Sequence, residues 1–94
     1  MKIEWDPLKA DQNLQKHGVR FEEAASVFSD PLAQIIGDPN HSANEDRFIL
    51  LGVSLESRLL VVCHCYRESN EVIRIISARK ATKRERKRYE EKAI

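Results

Sequence analysis

Polar and apolar residues alternate over Lys2-Ile3-Glu4-Trp5, which predicts a short strand, and the alternation stops at Asp6-Pro7. An oxygen-bearing cap followed by proline starts a helix, because the carboxylate accepts a free backbone N–H and proline has none to leave unpaired. That helix runs from about Pro7 to Lys16. Gly18 ends it in the left-handed conformation, with Lys16 and His17 in the last turn, where positive charge meets the negative end of the helix dipole. In FEEAASVFSDP, residues Phe21, Ala24, Ala25 and Phe28 recur at helical spacing, acids fill the first turn, and Asp30-Pro31 closes a second short helix. Beyond it the apolar residues gather into four strand-like segments, LAQIIG, RFILLGVSL, RLLVVCHCYR and EVIRIISAR. Turn-forming stretches separate them at DPNHSANED, at Glu56-Ser57 and at Glu68-Ser69-Asn70, so they form an antiparallel meander. Thr82 and Glu85 stand at the spacing of a capping box, which opens a last helix from about Thr82 to Ala93.

The predicted order is strand, two helices, four strands, helix. This is an α+β domain with its helices packed on one face of the sheet: an antiparallel sheet of four or five strands, the two N-terminal helices packed on it, and a C-terminal helix. At 94 residues the chain is sized for one domain spanning 1–94. Its 41% hydrophobic and 33% charged residues are ordinary for a folded soluble protein and argue against disorder.

Charge changes the picture more than composition does. Residues 1–78 carry 8 Lys/Arg and 12 Asp/Glu, whereas 79–94 carry 8 and 3, so the net charge of +1 conceals a basic tail on an acidic body. Such segregation suits a polyanion or an acidic partner protein. Cys63 and Cys65 lie two apart, point the same way on a strand, and have no third cysteine to pair with, as expected of free thiols in a reducing cytosol. No apolar run approaches the roughly 20 residues that span a bilayer. The opening MKIEWDPLKAD lacks the apolar region of a signal peptide, so a cytoplasmic location without membrane contact is expected.

Strict alternation in RLLVVCHCYR sets Arg58, Leu60, Val62, His64 and Tyr66 on one face, and Leu59, Val61, Cys63, Cys65 and Arg67 on the other. In VIRIISAR it groups Ile73, Ile75, Ser77 and Arg79 against Val72, Arg74, Ile76 and Ala78. With helices over the more apolar face, cations at strand ends line the other. Guanidinium groups there would hold a phosphodiester bidentately, and a histidine would move protons near neutral pH. The bland alternative is that these are surface cations and a structural histidine. Cys63-His64-Cys65 does not read as a metal site, because one intervening residue is too few for paired zinc ligands, and no metal or cofactor is expected. No Gly-rich elbow surrounds any serine. Trp5 is either a stacking platform for a base or a core residue, and Tyr89 either packs its ring on the sheet or offers a hydroxyl.

These residues resemble the BrnT-type toxins of bacterial toxin–antitoxin modules, small ribonucleases with a RelE-like fold. The resemblance runs nearly end to end. It is carried by EWDPLKADQNLQKHGVRFEEA, by FSDP, by Glu45 and Arg47 of EDR, by Gly52, Arg58, His64 and Arg67, and most specifically by RIISARKATKRERKRY. It implies an RNA-cleaving toxin that arrests translation and pairs with a cognate antitoxin that binds operator DNA, while the cationic sheet face itself suggests metal-free cleavage by attack of the 2′-hydroxyl on the adjacent phosphate. It further implies catalysis by Arg58, His64, Arg67 and Arg79, with Trp5, Lys80, Lys83, Arg86 and Tyr89 holding RNA. One departure is Ser57, where the family usually has Gly before the strand arginine. A non-catalytic RNA- or DNA-binding module, or an inactive toxin homologue within an antitoxin–repressor complex, is the alternative.

Overall fold

The structure, a computed structural model, describes residues 1–36 and 47–93; the expected turn at 38–46, with His41 and Glu45, lies outside them. Strand β1 (Lys2–Glu4) leads into α1 (Pro7–His17), then α2 (Phe21–Ser26), which continues as a single 3-10 turn over Val27–Ser29. Strands β2 (Gln34–Ile36), β3 (Arg47–Val53), β4 (Leu59–Arg67) and β5 (Val72–Lys80) follow, and α3 (Lys83–Ala93) ends the described chain. The strands form one sheet in the order β1-β5-β4-β3-β2.

Local signals produced the helix ends as predicted. Asp6 accepts from the Leu8 amide at 2.9 Å, and Gly18, at φ 69°, donates its amide to Leu14 O. Thr82 and Glu85 bond each other's backbone amides reciprocally.

Two expectations need correction. The sheet is mixed rather than antiparallel, because β1 joins β5 in parallel through Lys2–Val72 to Glu4–Arg74. Alternation in KIEW marks a strand but says nothing of its neighbour, which is decided by α1 and α2 carrying the chain to the far edge. Nor do all helices share a face. Val19, Phe21, Ala24 and Val27 pack with Leu50, Leu60, Val62, Ile75 and Ala78 on one side, while Ile36, Leu51, Leu59 and Val61 form a second cluster against Tyr89 and Ala81 on the other. The unbroken run LLVVC is apolar on both faces, and a strand of that kind needs cover on both. Helix α3 supplies the second cover.

A bulge in β5 alters which side chains share a face. Cys63 pairs with Ser77 but His64 with Ile75, so Ile76 is an extra residue and the alternation inverts across it. Ile75 and Ala78 both enter the core, and Ser77 and Arg79 move to the face that carries Arg74. Asn13 secures this arrangement from α1. Its buried amide bonds Ala78 N and Ala78 O, in the manner of a neighbouring strand, and also Val19 O.

Two backbone positions explain small residues. A Cβ on Gly52 would meet Val27 Cγ1 at 2.8 Å and Ala33 Cβ at 2.9 Å, so only glycine lets the 3-10 turn lie against β3. Ser57 closes the β3–β4 turn at φ 63°, in the left-handed region that a related glycine would occupy without strain. Relieving about 1–2 kcal/mol of left-handed strain against about 0.5–1 kcal/mol of added chain entropy, Ser57→Gly is expected to stabilise the protein by about 0.5 kcal/mol in urea titration.

Candidate functional site

Helix α3 covers only one half of its sheet face. On the other half, cross-strand pairing sets Arg47 opposite Cys65 and Cys65 opposite Arg74, with Arg67 two residues further along β4. These four line an open groove of about 340 Å³, closed at one side by Lys9 of α1 and by Ile76. Arg74 is held by Glu4 at 2.7 Å across the β1–β5 pair. Arg67 is exposed and meets no protein acceptor among the described residues. Three guanidinium groups and an ammonium surround one concavity, with no acid lining it among the described residues; they concentrate positive potential and offer donors to phosphate oxygens. Among the described residues, no three His, Cys, Asp or Glu side chains gather closely enough to hold a metal ion.

The structure scatters the residues expected to act together. Arg67 is in the groove. Arg58 precedes the opposite end of β4, nine residues away and so roughly 30 Å along a strand. There it bonds Glu23 through Nε at 2.8 Å and through Nη2, and donates to Gly18 O at 3.2 Å. Glu23 is almost wholly buried and also accepts from Ser54 Oγ; the Arg58 hydrogen bonds hold its carboxyl below the usual range against the effect of burial. Arg79 shares the groove's face but sits opposite Val61, and Glu85 grips it with two bonds of 2.8 and 2.9 Å. That grip holds the Glu85 carboxyl at about 2. Lys80, Lys83 and Arg86 are exposed, the last two on α3.

His64, expected to be catalytic, and Trp5 and Tyr89, expected to hold RNA, sit in packed surroundings. His64 is 0% exposed, on the face under α2 and its 3-10 extension, with Phe28 edge-on at 4.8 Å and Phe48 stacked at 5.9 Å. Strict alternation does place His64 with Leu60 and Val62, and the helices cover that face. Trp5 packs edge-on against Phe21 at 6.0 Å as part of the core rim, not as a free platform. Tyr89 anchors α3: its hydroxyl donates to Asp30 Oδ2 at 2.7 Å and its carbonyl accepts from Gln34. Burial and the Asp30 carboxylate push the Tyr89 phenol up to about 12, which keeps it a donor. Burial raises Asp30, yet the Val53 amide, Tyr89 and the Leu32 amide together draw it below the usual carboxylate range.

Burial lowers the His64 pKa, opposed by its contact with Val62 O, and Nε2 has no hydrogen-bond partner among the described residues. As pH falls below about 6.5 the unfolded imidazole takes a proton that the native one resists, so native stability declines from there downward. Replacing His64 with Leu is expected to remove this phase. The later loss below about 4.5 remains, as Glu23 and Glu85 gain protons more readily in the unfolded chain. Urea titrations at pH 7 and pH 5.5 check this. An unchanged stability difference between the two pH values would sink the assignment.

The groove's other cations escaped prediction. Arg47 and Lys9 carried no expected role, and alternation placed Arg74 and Arg79 on opposite faces. Their one local signal is a cation inside an apolar strand, as in VIRII; which strands flank it is not visible locally.

The sequence pattern of the family described as "Ribonuclease toxin, BrnT, of type II toxin-antitoxin system" matches residues 5–85. Among solved structures, the chain is similar to the 1.1 Å crystal structure of the Brucella abortus ribonuclease toxin BrnT. The two are 26% identical, with a TM-score of 0.66, over 88% of this chain and 99% of that one. No curated protein matches the chain.

Proposed function

The chain belongs to the BrnT family of ribonuclease toxins of type II toxin–antitoxin systems, and on that premise we propose that it cuts RNA without a metal ion in the groove around Arg67. The 2′-hydroxyl attacks the adjacent phosphorus and the bond to the 5′-oxygen breaks; the departing oxygen takes a proton from water, leaving a 2′,3′-cyclic phosphate and a 5′-hydroxyl. Arg47, Arg67, Arg74 and Lys9 hold the phosphate and stabilise the charge that builds on the phosphorane. Glu4, bonded to Arg74, is the carboxylate available beside that phosphate to take the 2′-hydroxyl proton. Arg79 acts at the margin once RNA competes with Glu85 for its fork. Lys80, Lys83 and Arg86 draw RNA in by charge.

The observation that carries this reading is the cationic groove on the uncovered half of the sheet, lined by Arg47, Arg67, Arg74 and Lys9. Family membership supports the wider reading, in which cleavage in the cytoplasm arrests translation and a cognate DNA-binding antitoxin binds the toxin in a hetero-oligomer that docks on operator DNA. The exposed basic residues of α3 fit an acidic segment of that antitoxin.

The test is induction with and without the neighbouring antitoxin gene, followed by mapping of RNA ends. Growth arrest relieved by the antitoxin, with new 5′-hydroxyl ends and cleavage that persists in chelator, is expected. A growth-neutral wild type that leaves RNA intact in vitro would overturn the proposal. Tight RNA retention without turnover would make the chain a binding module instead.

A further inference from the structure

A second concavity, of about 250 Å³, lies between α1 and β5 and shares Lys9 and Ile76 with the first. It exists because β1 is too short. Strand β1 pairs only with Val72 to Arg74, so the outer edge of β5 beyond Arg74 faces α1 instead of another strand. The bulge at Ile76 falls in this uncovered stretch, and the Asn13 amide, spent on Ala78 and Val19, sets how closely α1 approaches. Lys9, Gln12 and Lys16 recur at three- and four-residue steps and form one exposed stripe along the helix, with His17 and Ser77 at the cavity's end.

Among the described residues, no acid lines either concavity. Asp11 is two residues from Lys9, and so about 200° around the helix from it, away from the stripe. Lys9 and Lys16 therefore extend along α1 the line of cations begun by Arg67 and Arg74, the last of which is paired with Glu4.

We propose that the α1–β5 cleft is a second phosphate-binding subsite, continuous with the cleavage groove, and that the substrate it selects is single-stranded RNA. The inference rests on the cleavage-groove reading and extends it. The two concavities meet at the edge of the sheet: the first has its floor on the face away from α1, and the second is walled by α1 itself. A strand following both must turn around that edge. A flexible single strand does so, whereas a duplex is stiff over distances far longer than this molecule. Lys9 to Lys16 adds about 10 Å of track along the helix. The Lys16 ammonium is a point charge suited to a passing phosphate rather than to a base.

The experiment measures binding against salt, with an RNA of about 12 nucleotides carrying 2′-O-methyl groups so that nothing is cut. In Lys16→Ala the slope of log K against log salt is expected to fall in magnitude by about 0.7, one lost phosphate contact on a single strand. Lys16→Glu should weaken binding further. Cleavage of a dinucleotide, which reaches only the first groove, stays at the wild-type rate in both variants. A self-complementary duplex should bind more weakly than the single strand and be indifferent to Lys16. Wild-type binding with a slope unmoved by Lys16→Ala, or a duplex bound as tightly as the single strand, overturns the subsite alone. A wild type that neither binds nor cuts RNA overturns the cleavage groove as well. Lys16 is exposed on α1, so unchanged thermal melting will separate lost binding from lost folding.

Discussion

Arg67→Ala is expected to slow RNA cleavage by about 10²- to 10³-fold, the usual cost of removing one preorganised donor to a developing oxyanion, with no change in melting temperature. The second half of that statement follows from its surroundings. Arg67 is the last residue of β4, is exposed, and bonds no protein acceptor among the described residues, so its removal leaves nothing buried and unpaired. Arg67→Lys keeps the charge but loses the fork, and should recover binding more than rate. Arg74→Ala should also lose activity, but it frees Glu4 and is the less clean test. Single-turnover cleavage of a defined RNA, beside thermal melting of each variant, makes the comparison. If Arg67→Ala cuts at the wild-type rate, the groove is not where cleavage happens.

Arg58→Ala should lose activity by a different route, as the temperature approaches a lowered melting point. It strips the partner from a carboxylate that is 2% exposed, and breaking such a pair costs about 3–5 kcal/mol. Arg58 is itself one-third exposed, so solvent moderates the loss to about 3 kcal/mol. In a chain of this size that corresponds to a melting temperature lower by on the order of 15 °C, a large share of a stability of roughly 5–15 kcal/mol. Cleavage then falls with the folded fraction and returns on cooling. Pairing Arg58→Met with Glu23→Gln removes both charges together and should restore much of the stability, and with it the cleavage. An Arg58→Ala protein that melts like wild type but cannot cut would show instead that Arg58 touches the reaction. The two arginines thus separate by calorimetry, although both interrupt toxicity in a cell.

Both arginines flank one strand, and the same local pattern surrounds each. What distinguishes them is the partner across space: Glu23 on α2 for Arg58, an open groove for Arg67. The same contrast divides the C-terminal basic stretch. Arg79 faces the grooved side and is gripped by Glu85, while the run from Lys83 to Arg88 lies on a helix that also fastens itself to the sheet through Tyr89. Glu85 serves both as the capping-box acid and as the partner of Arg79. Only the first role follows from spacing.

The sequence by itself determined the elements, because their signals lie within one turn of chain: Asp6 and Pro7 at one helix start, Gly18 at its end, Thr82 and Glu85 at another, and apolar runs between turn residues. It also carried the family, since motifs such as RIISARKATKRERKRY are read directly from residue order. Tertiary structure decided the site. A single unpaired residue, Ile76, inverted half of β5; a three-residue β1 left an edge of β5 open; and α2 with its 3-10 extension closed over His64 while α3 covered only half of the opposite face. Each depends on which strands are neighbours and which face each helix covers. Periodicity is a property of one segment, whereas register and coverage are relations between segments far apart in sequence, and the cationic groove exists only in those relations.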